Sequence, residues 1–260
     1  MDDQDKSVWG GVALFVVVVA GGALIYRFAS APPPAAAPAA PAPAAAPAAA
    51  PAAALPKLEE SDDFFRGRAA ALSSDPRFAG WLKNGDLISR LTAAANMIAA
   101  GKVPADALKF LAPAARFRAL RRGGKIYADP RGYARYDALA AGVSSVDAKA
   151  AAGLFLDLKP LFQEAWNSLG EKSGDVQAVV LRALGELLRT PRLTGKEELA
   201  EGKKGLTYVF ADGAIERLSP AQKQLLRMGP KNAAAIQGKL HEIALALGAT
   251  ESGLTSQGDR

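Results

Sequence analysis

From Ala31 to Ala54 the chain uses only alanine and proline, with proline at positions 32, 33, 34, 38, 41, 43, 47 and 51. Proline removes a helix donor and its ring clashes with a preceding carbonyl, so this spacing forbids a continuous helix. The 24 residues therefore read as an extended, semi-rigid spacer, reaching about 75 Å at about 3.1 Å per residue in polyproline II form. No basic residue flanks the PxxP-like steps, which favours a spacer over a recognised ligand. The segment splits the chain into a short tail at 1–7, an apolar span at 8–26, a linker at 27–56, a globular region at 57–247 and a flexible tail at 248–260.

Val8 to Tyr26 is 19 residues without a charge, and at about 1.5 Å per residue it matches a hydrocarbon core of about 30 Å. Trp9 and Tyr26 stand at its ends, where amphipathic rings favour the interface, and Arg27 follows. A cleaved signal peptide is the competing reading, with Ala29-Ser30-Ala31 as its cleavage site. The length of the apolar run, the acidic leading segment and Pro32 after the cut favour an uncleaved anchor in contact with the lipid bilayer. No GxxxG step marks a helix-pairing face. The charge rule counts only Lys6 and the amino terminus against Arg27. The expectation is a single-pass bacterial inner-membrane protein with its amino terminus inside and its domain in the periplasm.

Setting aside Lys6, Arg27, Asp2, Asp3 and Asp5 leaves 30 basic and 23 acidic residues from Lys57 onward, a net charge of +7. Such a balance attracts anions only weakly unless the cations cluster. The chain has no cysteine, which excludes disulfides, thiolate nucleophiles and cysteine-held zinc. Its single histidine, His241, cannot build a zinc site alone and is expected at the surface or a boundary. No nucleophile elbow, P-loop or dinucleotide fingerprint is present, so no metal, cofactor or nucleotide chemistry is expected, and nucleic acid is not an expected partner. The acidic pairs Glu59-Glu60, Asp62-Asp63 and Glu197-Glu198 leave a glycan hydrolase open in principle, although solvated charge is the simpler reading.

The globular region reads as mainly helical. Ser61 with Asp62 and Asp63 opens a helix to Leu72, Asp75-Pro76 opens another, and Asp86 starts a third that Gly101 stops. A short helix is expected over 105–111. Asp129-Pro130 precedes a helix over 133–143. Another runs from Ser145 or Asp147 to Leu169, with Pro160 positioned to kink or divide it. Val176 to Leu188, Ser219-Pro220 to Met228, and a final segment carrying Ile236, Leu240, Ile243 and Leu247 complete the pattern.

Arg116 to Ala128 is the exception. Its residues alternate about Gly123-Gly124, a pair suited to a tight hairpin turn. Leu206 to Phe210 is a further strand candidate, so a small antiparallel hairpin or three-stranded patch is expected. Arg116, Arg118, Arg121, Arg122 and Lys125 lie on this hairpin with Phe117 and Tyr127, a candidate surface for anionic polymers or lipid headgroups. In a regular strand Arg116 and Arg118 share one face with Leu120, which also makes them an ordinary solvated face.

Ser219 to Pro230 (SPAQKQLLRMGP), Asp129-Pro130 through Arg135-Tyr136-Asp137, and Lys159-Pro160-Leu161 leading to Leu169-Gly170 carry a resemblance. The chain resembles the bacterial family designated domain of unknown function 3014, over about Leu55 to Leu247. The resemblance implies an envelope protein with an amino-terminal membrane segment and a variable Ala/Pro linker, and it brings no activity. Within these motifs Arg135, Tyr136, Asp137, Gln222, Lys223 and Arg227 form a candidate polar cluster, expected to be structural rather than a ligand site. The functional expectation is a non-enzymatic binding or scaffold module facing an envelope protein or cell-wall partner. Anion binding by the hairpin and a carboxylate-dependent hydrolase are the alternatives.

Overall fold

A computed structural model describes residues 55–171, 173–202 and 207–255. The expected span Val8 to Tyr26 and nearly all of the linker lie outside these residues. Among the described residues no single helix is long and apolar enough to cross a membrane.

The chain is mainly helical with a small four-stranded antiparallel sheet. Its helices are α1 (Ser61–Ala69), α2 (Pro76–Trp81), α3 (Leu87–Ala99), α4 (Asp137–Ser144), α5 (Ala148–Asp157), α6 (Lys159–Ser168), α7 (Val176–Leu188), α8 (Gly213–Glu216), α9 (Pro220–Leu226), α10 (Pro230–Ala246) and α11 (Glu251–Thr255). Aspartates 75, 129, 147, 175 and 212 each accept a hydrogen bond from a backbone N–H of the turn that follows. They satisfy donors that a helical start leaves unpaired. Leu158 separates α5 from α6, with Pro160 in the first turn of α6, where its missing N–H costs no hydrogen bond.

Several boundaries differ from the sequence reading. Ser61 lies inside α1 with its hydroxyl donating to the carbonyl of Leu58, so Glu60 occupies the capping position. Residues 105–111 form only a 3-10 turn at Lys109–Leu111, and Asp129-Pro130 opens a 3-10 stretch, Pro130–Tyr136, ahead of α4. In the tail read as polar, α11 forms and Leu254 joins the main core.

The main core is built by α3 packing on α6 and α7, and by α10 packing on α4, α5 and α7. Phe65, Phe78, Phe155, Phe162 and Tyr136 are buried in it. Each such side chain contributes roughly 1.5–3 kcal/mol by leaving water.

The sheet has strands β1 (Ala119–Arg122), β2 (Lys125–Ala128), β3 (Glu198–Glu201) and β4 (Tyr208–Phe210), in the order β1-β2-β3-β4. Gly123 and Gly124 have φ of 59° and 76°, the conformation a two-residue hairpin turn between Arg122 and Lys125 requires. The expected patch is thus one strand larger. The second strand candidate does form, but it pairs with β3 rather than with the hairpin. Across the sheet Ile126 pairs with Leu199 and Leu199 with Phe210, and this row packs with Leu226 of α9 in a second, smaller core.

Candidate functional site

On the hairpin, three of the five expected cations already have carboxylate partners. Arg121 pairs with Glu201 and Lys125 Nζ lies 2.6 Å from Glu198, both partners on β3. The hydrogen bond from Lys125 to Glu198 holds the ammonium pKa above its ordinary value. Arg118 lies 3.9 Å from Asp129, whose buried carboxylate also takes the guanidinium of Arg131. Hydrogen bonds from Arg131 hold the Asp129 pKa below the usual range. Arg116 and Arg122 are exposed and have no carboxylate partner among the described residues. The hairpin is therefore a largely charge-paired sheet edge, not a continuous basic stripe.

The polar motif residues do not form one cluster but fall into four settings. Arg135 lies over the rings of Phe117 and Tyr136, at 5.3 and 4.9 Å from their centroids. Tyr136 is fully buried, and Gln224 Nε2 donates to its hydroxyl at 3.3 Å. Burial raises the Tyr136 pKa, with the charge of Arg135 opposing it.

Arg227 belongs with Glu216 and Lys223. Lys223 Nζ donates to Glu216 Oε1 at 2.5 Å, and Glu216 Oε2 accepts the N–H of Phe210 at 2.9 Å. Burial pushes the Glu216 carboxyl up, but these two hydrogen bonds outweigh it and the net shift is downward. Burial likewise lowers the Arg227 pKa, opposed by Glu216 and Tyr136. Arg227 donates to the Tyr208 carbonyl at 3.5 Å and covers the Phe210 ring. Ala211 N–H donates to the Glu198 carbonyl and Gly202 N–H to that of Thr207. By the alternation of an antiparallel ladder, Phe210 N–H and Tyr208 C=O then point away from β3. Glu216 and Arg227 thus cover the outer edge of β4.

Asp137 and Gln222 stand elsewhere. Asp137, exposed, accepts from Asn232 Nδ2 at 3.0 Å, and the same amide donates to the carbonyls of Tyr133 and Met228. Gln222 forms a capping box with Ser219 and donates to the Glu186 carbonyl at 3.2 Å. Sequence reasoning missed Gln224, Asn232 and Gln237, which are all buried. Gln237 Nε2 donates to the carbonyls of Leu187, Leu188 and Thr190. These carbonyls lie at the end of α7 and just beyond it, where the helix no longer supplies every partner, although that of Leu187 also accepts the Thr190 N–H.

Beside α10 lies a shallow hollow of about 210 Å³, lined among others by Pro191, Arg192, Leu226, Pro230 and Gln237, with no carboxylate in its wall. That is smaller than the roughly 300 Å³ at which small-molecule pockets begin. Glu59 and Glu60 are exposed, and the other two acidic pairs are engaged elsewhere. Asp62 accepts from backbone N–H groups of residues 86 and 87, Asp63 pairs with Arg66, Glu197 accepts from Thr194, and Glu198 pairs with Lys125. Among the described residues no group of three or more His, Cys, Asp or Glu can hold a metal ion. His241 is half-buried and lies 2.9 Å from Glu251.

A family model described as "Protein of unknown function (DUF3014)" matches residues 87–244, more than half of the chain. The chain belongs to this family. No curated protein and no solved structure matches it. The matched stretch holds the sheet, α3 to α10 and every residue of both candidate clusters. In this DUF3014 domain the SPAQKQLLRMGP segment is α9 and its turn into α10. Its next-to-last residue is Gly229, whose φ of 88° and closeness to the Tyr133 ring exclude a side chain.

Proposed function

We propose that this DUF3014 protein is a non-enzymatic binding or scaffold module, anchored in the bacterial inner membrane by Val8 to Tyr26 and held in the periplasm by its Ala/Pro linker. One observation carries the non-enzymatic part. The polar side chains of the family motifs are engaged in bonds that join α9 to α7, to the Pro130–Tyr136 stretch and to β4, and α4 to α10, instead of converging on a cleft. Catalytic groups need a shared pocket and a place for the reacting atom, and the hollow beside α10 has no acid in its wall. The sequence supports the placement through the uncharged span and the 24-residue spacer. The partner that this reading favours is an envelope protein or the cell wall.

Two measurements on the full-length chain test the proposal. With a carboxy-terminal tag, protease added to spheroplasts digests the domain if it is periplasmic; protection until lysis overturns that placement. Incubated with purified cell-wall sacculi, the chain is retained without releasing soluble fragments. Fragment release would make it a hydrolase and overturn the non-enzymatic reading.

A further inference from the structure

We propose that the outer edge of β1 is a docking strand for an extended acidic peptide, an inference that rests on the binding-module reading and names its surface. The two edges of the sheet are treated differently. On β4, Phe210 N–H and Tyr208 C=O face outward and are covered by Glu216 and Arg227. On β1 the corresponding groups are open.

The register identifies them. Asp129 N–H donates to the Arg118 carbonyl at 2.9 Å, and β1 pairs with β2 as Leu120 with Tyr127 and Arg122 with Lys125. Hydrogen-bonded and non-bonded pairs alternate along an antiparallel ladder. Residues 118, 120 and 122 therefore direct their N–H and C=O groups to β2, while Ala119 and Arg121 direct theirs away from the sheet. Among the described residues nothing pairs with these outward groups, and no strand lies beyond β1.

Charge selects the occupant. Side chains of Arg118 and Arg121 are 70% and 65% exposed, even with their carboxylate neighbours. Arg116 and Arg122 have no such neighbour among the described residues. Cations along an edge repel a second basic strand and so prevent self-association. The same cations favour an incoming strand whose acids fall beside Arg118 and Arg122 on one face, with its backbone bonding Ala119 and Arg121. This is β-strand addition, in which main-chain bonds supply affinity and alternate side chains supply selectivity.

The test uses full-length protein in detergent micelles and a fluorescent synthetic peptide of alternating Glu and Thr. Binding is expected to be saturable and to weaken steeply with salt. A matched peptide, N-methylated at alternate amides, should not bind. Ala119→Pro removes only an outward N–H, so the ladder to β2 persists, and Arg122→Glu breaks no ion pair. Each is expected to weaken binding by about tenfold or more, the scale of one hydrogen bond to a charged group, with an unchanged melting temperature. Should Ala119→Pro unfold the sheet, the methylated peptide and Arg122→Glu still decide. Equal binding of the methylated peptide would reduce the interaction to charge attraction and overturn the proposal, as would no binding of either peptide. Failure here with intact retention on sacculi removes the docking strand alone, whereas loss of both removes the module reading as well.

Discussion

The carboxylate of Asp62 on α1 accepts the N–H of Leu87 at 3.0 Å, and with its other oxygen the N–H of Asp86 at 2.7 Å, so it caps α3 from a different helix. Asp86 itself, at φ 57°, makes no side-chain cap. Replacing Asp62 with Ala should cost about 1 kcal/mol, the usual value of a lost cap. Urea titration of the variant and of Asp86→Ala checks this. No loss in Asp62→Ala would mean that the cap is not supplied by Asp62.

Gly229 offers a sharper test. A Cβ there would meet Tyr133 Cγ at 2.4 Å, and the φ of 88° is strained for any L side chain. Strain and overpacking together place the cost of Gly229→Ala at about 2–4 kcal/mol. Adding Tyr133→Ala removes the ring contacts but leaves the residue 133 Cβ at 2.8 Å and the strained φ, so only a partial rescue should be readable in thermal melts.

Gln237 and Gln222 both donate to carbonyls at the end of α7. Truncating Gln237 to Ala strands buried acceptors and should lower stability by about 1–3 kcal/mol. Gln222→Ala should cost a similar amount, because it loses both the bond to the Glu186 carbonyl and its half of the capping box. A double-mutant cycle that shows coupling would confirm that the two amides act on one helix end.

Acid should weaken the edge of β4. The folded Glu216 carboxyl lies below its ordinary value of 4.5. The unfolded state therefore binds the proton first, and the stabilisation is present above that value and lost as pH falls through the lower folded value. Unfolding free energy measured from pH 6 down to pH 3, an interval set by that ordinary value, should fall less steeply in Glu216→Gln. An unchanged slope would show that Glu216 does not contribute.

The aspartate starts at Asp75-Pro76 and Asp129-Pro130, and the Gly123-Gly124 turn, were legible because each is local: cap, φ and turn lie within a few residues. Strand β3 was not. Glu198, Ala200 and Glu201 favour a strand poorly, and only Leu199 is buried. Its conformation comes from ladders to Ile126 and Phe210, contacts that no local window contains. The same limit hid the glutamines. Polar residues on a helix read as solvent-facing, whereas Gln222, Gln224 and Gln237 are buried against partners 36 to 88 residues away. The residues expected to form one polar cluster are therefore divided by the fold among separate hydrogen-bond settings.

The two amides at the end of α7 come from helices on either side of the Gly229 turn. Rotating α9 against α10 about that glycine would pull at least one of them off its carbonyls. The joint is thus locked from outside itself, by a third helix whose terminus accepts bonds from both arms. Leu226 at the end of α9 carries the sheet's apolar row. Through that one side chain the sheet's small core leans on the locked pair, so a swing of the sheet would strain the same joint.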